Sequence, residues 1–175
     1  MEDLRKNSIN YGMYLGLILI VFNTLIYAFD INLFTNMWVG IVIMGIIIIF
    51  AVFTTVKYKN KLGGFMSFKE AFSSFIISVI IGSLISVAYT IILFNYIDPE
   101  AKTILTENLI KYTTGLMQKF GAKAADINEA VKQMSETDSY GVYGQIKGYI
   151  SSIIIYSIIG LISALIIKRE RPQSI

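Results

Sequence analysis

Cysteine and histidine are both absent from the sequence. Their absence removes disulfides, thiol nucleophiles, Cys/His metal sites and histidine acid–base catalysis in one step. Charge is missing too from the places where a membrane carrier would need it. No Asp, Glu, Lys or Arg falls in the middle of any long apolar run. Ion-coupled carriers place ionisable groups there despite a cost of about 2.5–3.5 kcal/mol or more, because such groups mark ion and proton paths. This lack argues against a pump or a proton-driven exchanger. The net charge is only +3, and the basic residues flank apolar runs rather than line one helical face, so no nucleic-acid partner is expected. No cofactor is expected either. The sequence shows no internal repeat and no low-complexity tract.

What is present is apolar surface. Hydrophobic residues make up 55% of the 175 positions, and a mean hydropathy of +0.64 exceeds what a soluble domain of this size can bury. About 30 Å of hydrocarbon needs about 20 apolar residues at about 1.5 Å each. Four runs meet that length, at about 11–29, 38–56, 72–97 and 149–167. The expected architecture is all-α: an integral membrane four-helix bundle over 1–175, with an extramembrane amphipathic helical insert, 98–148, between spans three and four. MEDLRKN carries balancing charges, and the run after it is longer than a usual signal-peptide core and has no clean small-x-small cleavage site. It is expected to stay as a signal anchor.

The stretch 63–100 has explicit ends. Ser67 and Glu70 have the spacing of a capping box, with Met66 and Ala71 placed as a weak staple. At its far end Asp98 is placed to cap a new helix with Pro99 in the first position. The insert that follows reads as two helices. Ala101, Ile104, Leu105, Tyr112, Leu116 and Phe120 keep helical spacing, and Gly121 is a break. Asp126 and Glu129 repeat the capping-box pattern before Ile127, Ala130, Val131 and Met134. The segment ETDSYGVYGQIKG reads as a linker. Such helices lie on the outer leaflet or on the bundle.

Basic residues set the expected orientation. The 30–37 connection has none, whereas the next holds Lys57, Lys59, Lys61 and Lys69 without an acid. Arg5 and Lys6 precede span one, and Lys168, Arg169 and Arg171 follow span four. Both termini are therefore expected in the cytoplasm. Trp38, Tyr27 and Tyr96 would then fall at the outer interface, and Tyr11 and Tyr58 at the inner one. Span two, almost featureless, is expected to be the most lipid-exposed.

Small residues recur every fourth position along span three at Ser74, Ser78, Gly82, Ser86 and Thr90. Span four offers a row at the same period: Gly144, Gly148, Ser152, Tyr156, Gly160 and Ala164. Helices in lipid associate by close packing and inter-helix hydrogen bonds, so these rows read first as helix-packing seams and second as a groove for a lipid or a partner's span. Span one adds a GxxxG pair, Gly12 and Gly16. A polar layer of Asn23, Thr24, Ser86, Tyr89, Thr90, Ser152 and Tyr156 falls in the outer half, either satisfying itself or lining a small-molecule site. Lys57, Lys59 and Lys61 are candidates for anionic-lipid contact, at about 1 kcal/mol each. Glu70 reads as a cap favouring the positive helix end rather than a catalytic carboxylate.

The motif F-x-S-F-K-E-A-F (Phe65, Ser67, Phe68, Lys69, Glu70, Ala71, Phe72), the small-residue span ending ILFNYIDPE, the helical insert and the fourth span resemble, in order and spacing, a bacterial membrane-protein family. It is the domain of unknown function 4199, common in Bacteroidota. The resemblance implies a four-span inner-membrane protein and carries no reaction or ligand. The functional expectation is a non-enzymatic structural or accessory component whose partners are the bilayer and another membrane protein or a second copy. The alternative is a small oligomeric transporter or channel using the polar layer.

Overall fold

The computed structural model describes residues 1–170. Arg171 of the basic tail lies outside them. Six α-helices lie among the described residues: α1 (Glu2–Phe29), α2 (Met37–Lys61), α3 (Phe68–Ile92), α4 (Glu100–Lys119), α5 (Ala124–Glu136) and α6 (Val142–Ile167). A 3-10 turn, Ile31–Thr35, joins α1 to α2, and α3 runs on into a π-helical turn, Leu93–Ile97. No β-strand occurs among the described residues. Four of the helices are long and apolar enough to cross a membrane: α1, α2, α3 with its π turn, and α6. The architecture is an all-α bundle of these four helices carrying α4 and α5 at one end.

The helix α3 is the hub, packed against all three other long helices and most extensively against α1. Its start is fixed locally. Ser67 Oγ accepts from the Glu70 backbone N–H, and the Glu70 carboxylate accepts from the Ser67 N–H at 2.8 Å, completing the capping box. Gly63 and Gly64 before it adopt positive φ, 76° and 86°, which admits glycine without strain. At the bundle centre Leu15, Leu19, Ile47, Ala51, Phe75, Val79 and Tyr156 form one buried cluster drawn from all four long helices.

The start of α1, the end of α6 and the α2–α3 loop gather at one end of the bundle, here the termini end. The Met66 and Arg169 backbones exchange two hydrogen bonds of 2.8 Å, and Lys59 Nζ donates to the Ile167 carbonyl at 2.6 Å. That ammonium satisfies a carbonyl left open at the C-terminus of α6 and sits at the negative end of its dipole.

At the opposite, insert end, Leu93, Phe94, Ala101 and Leu105 form a second buried cluster, with Phe34 and Tyr140 packed on it. The first half of α4 is thus docked on the bundle, while α5 packs against α4 and buries none of its residues fully. Asp98 Oδ1 accepts from the Ala101 N–H at 3.2 Å, but α4 begins at Glu100, so Pro99 takes the N-cap position rather than the first helical one. Gly121, at φ 75°, makes the break between α4 and α5.

Several boundaries differ from the hydropathy reading. The first helix begins nine residues before its apolar run because Leu4 and Ser8, 2% and 0% exposed, continue the face it buries. Asp126 does not cap α5. The helix starts at Ala124, N-capped by Lys123 without a side-chain bond, because two alanines extend it backwards and leave Asp126 in the first turn. The supposed linker is shorter than its composition suggests, since α6 already starts at Val142. Tyr58 is 8% exposed and belongs to the core, not to an aromatic belt. By exposure α2 has an equal in α6.

Candidate functional site: seams and polar pairs at the insert end

The small residues of α3 face chiefly α1, which runs parallel to it, rather than the row on α6. Ser8 Oγ donates to Ser74 Oγ at 3.2 Å with both residues fully buried. A Cβ on Gly82 would lie 2.6–2.9 Å from three side-chain carbons of Leu15, and one on Gly16 equally close to Ile85. At Gly12 it would meet Ile81 at 2.7 Å and the Ser78 carbonyl at 3.1 Å. The seam therefore interlocks Ser8, Gly12 and Gly16 with Ser74, Ser78, Gly82 and Ser86. The sequence signal for Ser8 was present, since it continues the four-residue period of Gly12 and Gly16, but it lies outside the apolar run.

The α6 row divides. Gly160 takes the rings of Phe75 and Phe72, Ala164 is fully buried, and Tyr156 enters the central cluster. Gly148 is exposed with no atom within 4 Å of its would-be Cβ, so it does not belong to a seam. Gly144 backs onto the Asp138 and Ser139 backbone. Ser152 returns its hydroxyl to the Tyr149 carbonyl at 2.7 Å, as serines in apolar helices do.

The polar residues of the insert half resolve into pairs. Asn23 Nδ2 donates to Ser86 Oγ at 3.0 Å. Thr24 and Tyr89 share a 2.6 Å bond between their hydroxyls. Thr90 Oγ1 donates to Gln145 Oε1 at 2.6 Å, tying α3 to α6. Each such bond in a membrane bundle contributes about 0.6 to 2 kcal/mol.

Where α3 leaves the bundle the pairs become a network that the sequence alone does not indicate. Gln145 Nε2 donates to the Tyr140 carbonyl at 2.7 Å, and Asn95 Nδ2 donates to that same oxygen and to the Ile91 carbonyl. Lys102 Nζ reaches Asn95 Oδ1 and Asp138 Oδ2, both at 3.2 Å. The Tyr27 hydroxyl donates to Asp98 Oδ2 at 2.8 Å. The π turn carries Asn95, whose amide reaches both carbonyls. Burial pushes the Tyr140 phenol up to about 12, its ring edge-on to Phe94 at 6.1 Å. Gln145 was hidden because it falls in what composition reads as a linker.

At the termini end the three lysines have different surroundings. Lys59 is committed to Ile167, Lys61 Nζ donates to Asn7 Oδ1 at 3.0 Å, and Lys57 Nζ stands over the Tyr11 and Phe53 rings at 5.2 and 5.5 Å.

A family model described as "Protein of unknown function (DUF4199)" matches residues 10–169, from the seam of α1 through the end of α6. The chain belongs to the DUF4199 family. The match takes in α3, the insert and the polar pairs of the insert end, and leaves out Asn7 and Ser8 at the start of α1. No curated protein and no solved structure matches the chain.

Proposed function

We propose that this DUF4199 chain is a non-enzymatic structural or accessory protein of a bacterial inner membrane, acting through lipid and partner-protein contacts of its insert. The observation that carries the reading is the pairing of its polar side chains. Asn23, Thr24 and Thr90 are each committed to a neighbouring helix, so they act as inter-helix fasteners rather than as a substrate lining. The insert offers apolar surface for contact, with Phe120 87% and Tyr143 80% exposed. Both termini face the cytoplasm in this reading, supported by Arg5, Lys6, Lys57, Lys59, Lys61 and Lys69 at the termini end.

A photo-crosslinker at Phe120 in native membranes tests the contact. Adducts with one defined protein, and no solute flux from vesicles containing the purified chain, are expected. Flux that is lost on Asn23→Leu, or turnover by the purified chain alone, overturns the reading in favour of a channel or an enzyme. Cysteines placed at Ser139 and Asn60 of this cysteine-free sequence should react from opposite sides of the membrane; reaction from one side removes the topology.

A further inference from the structure

The groove between α1 and α2 at the termini end combines three features that no single residue motif reveals. A cavity of about 380 Å³ opens there, lined by Asp3, Lys6, Asn7, Asn10, Tyr58 and Lys61. Two ammonium groups against one carboxylate leave it one net positive charge. Asn7 accepts from Lys61 through Oδ1, while its enclosed Nδ2 has no acceptor among the described residues. Further along the same two helices, towards the bundle middle, lies a cluster of rings. Tyr11 packs against Tyr14, Phe50 and Phe53 at centroid distances of 5.9, 6.4 and 6.3 Å, and Tyr14 and Phe53 are 58% and 50% exposed. Lys57 stands over two of these rings, one helical turn from Lys61.

We propose that this groove binds an anionic phospholipid, with its phosphodiester in the cavity and its acyl chains along the ring cluster. One net positive charge matches a singly charged phosphodiester, whose oxygens would accept from the Lys6 and Lys61 ammonium groups. A headgroup that carries its own amine would set a cation against Lys6 and Lys61 and is disfavoured. The exposed rings of Tyr14 and Phe53 favour a lipid over a soluble phosphate, because they offer apolar surface to its acyl chains. Lys59, grouped with Lys57 and Lys61 by sequence, does not line the cavity; its ammonium reaches α6 instead.

This site at the termini end goes beyond the insert contacts of the proposed function and rests on the chain residing in a bilayer. A chain that conducts solute yet retains the lipid would overturn the proposed function while leaving this site standing. The test is native mass spectrometry of the full chain released from nanodiscs holding equal amounts of phosphatidylglycerol and phosphatidylcholine. Phosphatidylglycerol adducts should persist preferentially, and Lys6→Gln with Lys61→Gln should lower their retention about fivefold for each charge removed. Asn7→Asp, almost unchanged in size, places a second carboxylate in the cavity and should also reduce retention. Lys119→Gln with Lys123→Gln, at the insert end, should leave retention unchanged. Equal retention of both lipids, equal retention by wild type and cavity variants, or equal stabilisation of the detergent-purified chain by inorganic phosphate overturns the proposal.

Discussion

Alanine at Gly82 should destabilise the bundle although alanine is the better helix former. The new methyl would stand 2.6–2.9 Å from Cβ, Cγ and Cδ2 of Leu15, where carbon pairs rest at about 3.5–4.0 Å. Leu15 is fully buried beside Leu19, Phe75 and Val79 and has no open space to turn into, so α1 and α3 must part by about 1 Å. Overpacking of this kind costs about 1–3 kcal/mol, against a helix-propensity gain of about 1 kcal/mol. The net expectation is a loss of up to about 2 kcal/mol. Gly45 on α2 supplies the control, since no atom lies within 4 Å of its would-be Cβ. There the propensity term acts alone, and Gly45→Ala should be neutral or stabilising by up to about 1 kcal/mol. Reversible unfolding in mixed micelles measures both. Pairing Gly82→Ala with Leu15→Ala should show a favourable coupling of at least about 0.5 kcal/mol, because each change relieves the other. A Gly82→Ala variant as stable as Gly45→Ala would refute the close-packed seam.

Two further outcomes are expected. Asn23→Leu should cost about 0.6 to 2 kcal/mol in the same unfolding assay by breaking its bond to Ser86; an unchanged midpoint would mean that the bond contributes nothing. For Tyr140, with its phenol held near 12 in the folded chain and about 10 when unfolded, the unfolded state loses its proton first. The stability from burying the neutral phenol is therefore intact below pH 10 and lost as pH rises towards 12. Melting temperature should fall across that window more steeply for wild type than for Tyr140→Phe; parallel curves would contradict this.

The four apolar helices and the capping box at Ser67 and Glu70 were legible because hydropathy and local spacing determine them. Which helix meets which was not. A period-four stripe on α3 is equally compatible with α1 and α6, and the choice is made by Leu15, Ile81 and Ile85 filling the gaps above facing glycines, a matter of three-dimensional fit. The α6 row misled at Gly148 because a small residue at the right spacing need not have a neighbour. The lysine cluster misled differently: adjacent ammonium groups at 57, 59 and 61 point around the helix, so one reaches α6, one reaches α1 and one rests on rings. The hydrogen-bond network at Asn95 and Gln145 depends on a π turn and on α6 starting early, neither of which composition announces.

The central place of α3 has a consequence for how the protein is made. Helices enter the bilayer in the order of synthesis, and α1 and α2 precede the helix they are shaped to fit. Until α3 arrives, Gly12 and Gly16 face no close-fitting neighbour, and Asn23 must wait for a serine 63 residues downstream. An amide without a partner in hydrocarbon is costly, so the Asn23–Ser86 bond adds to the drive that brings α3 onto α1. The end of α6, made last, is then held by Lys59 and by the Met66 backbone, both earlier in the chain.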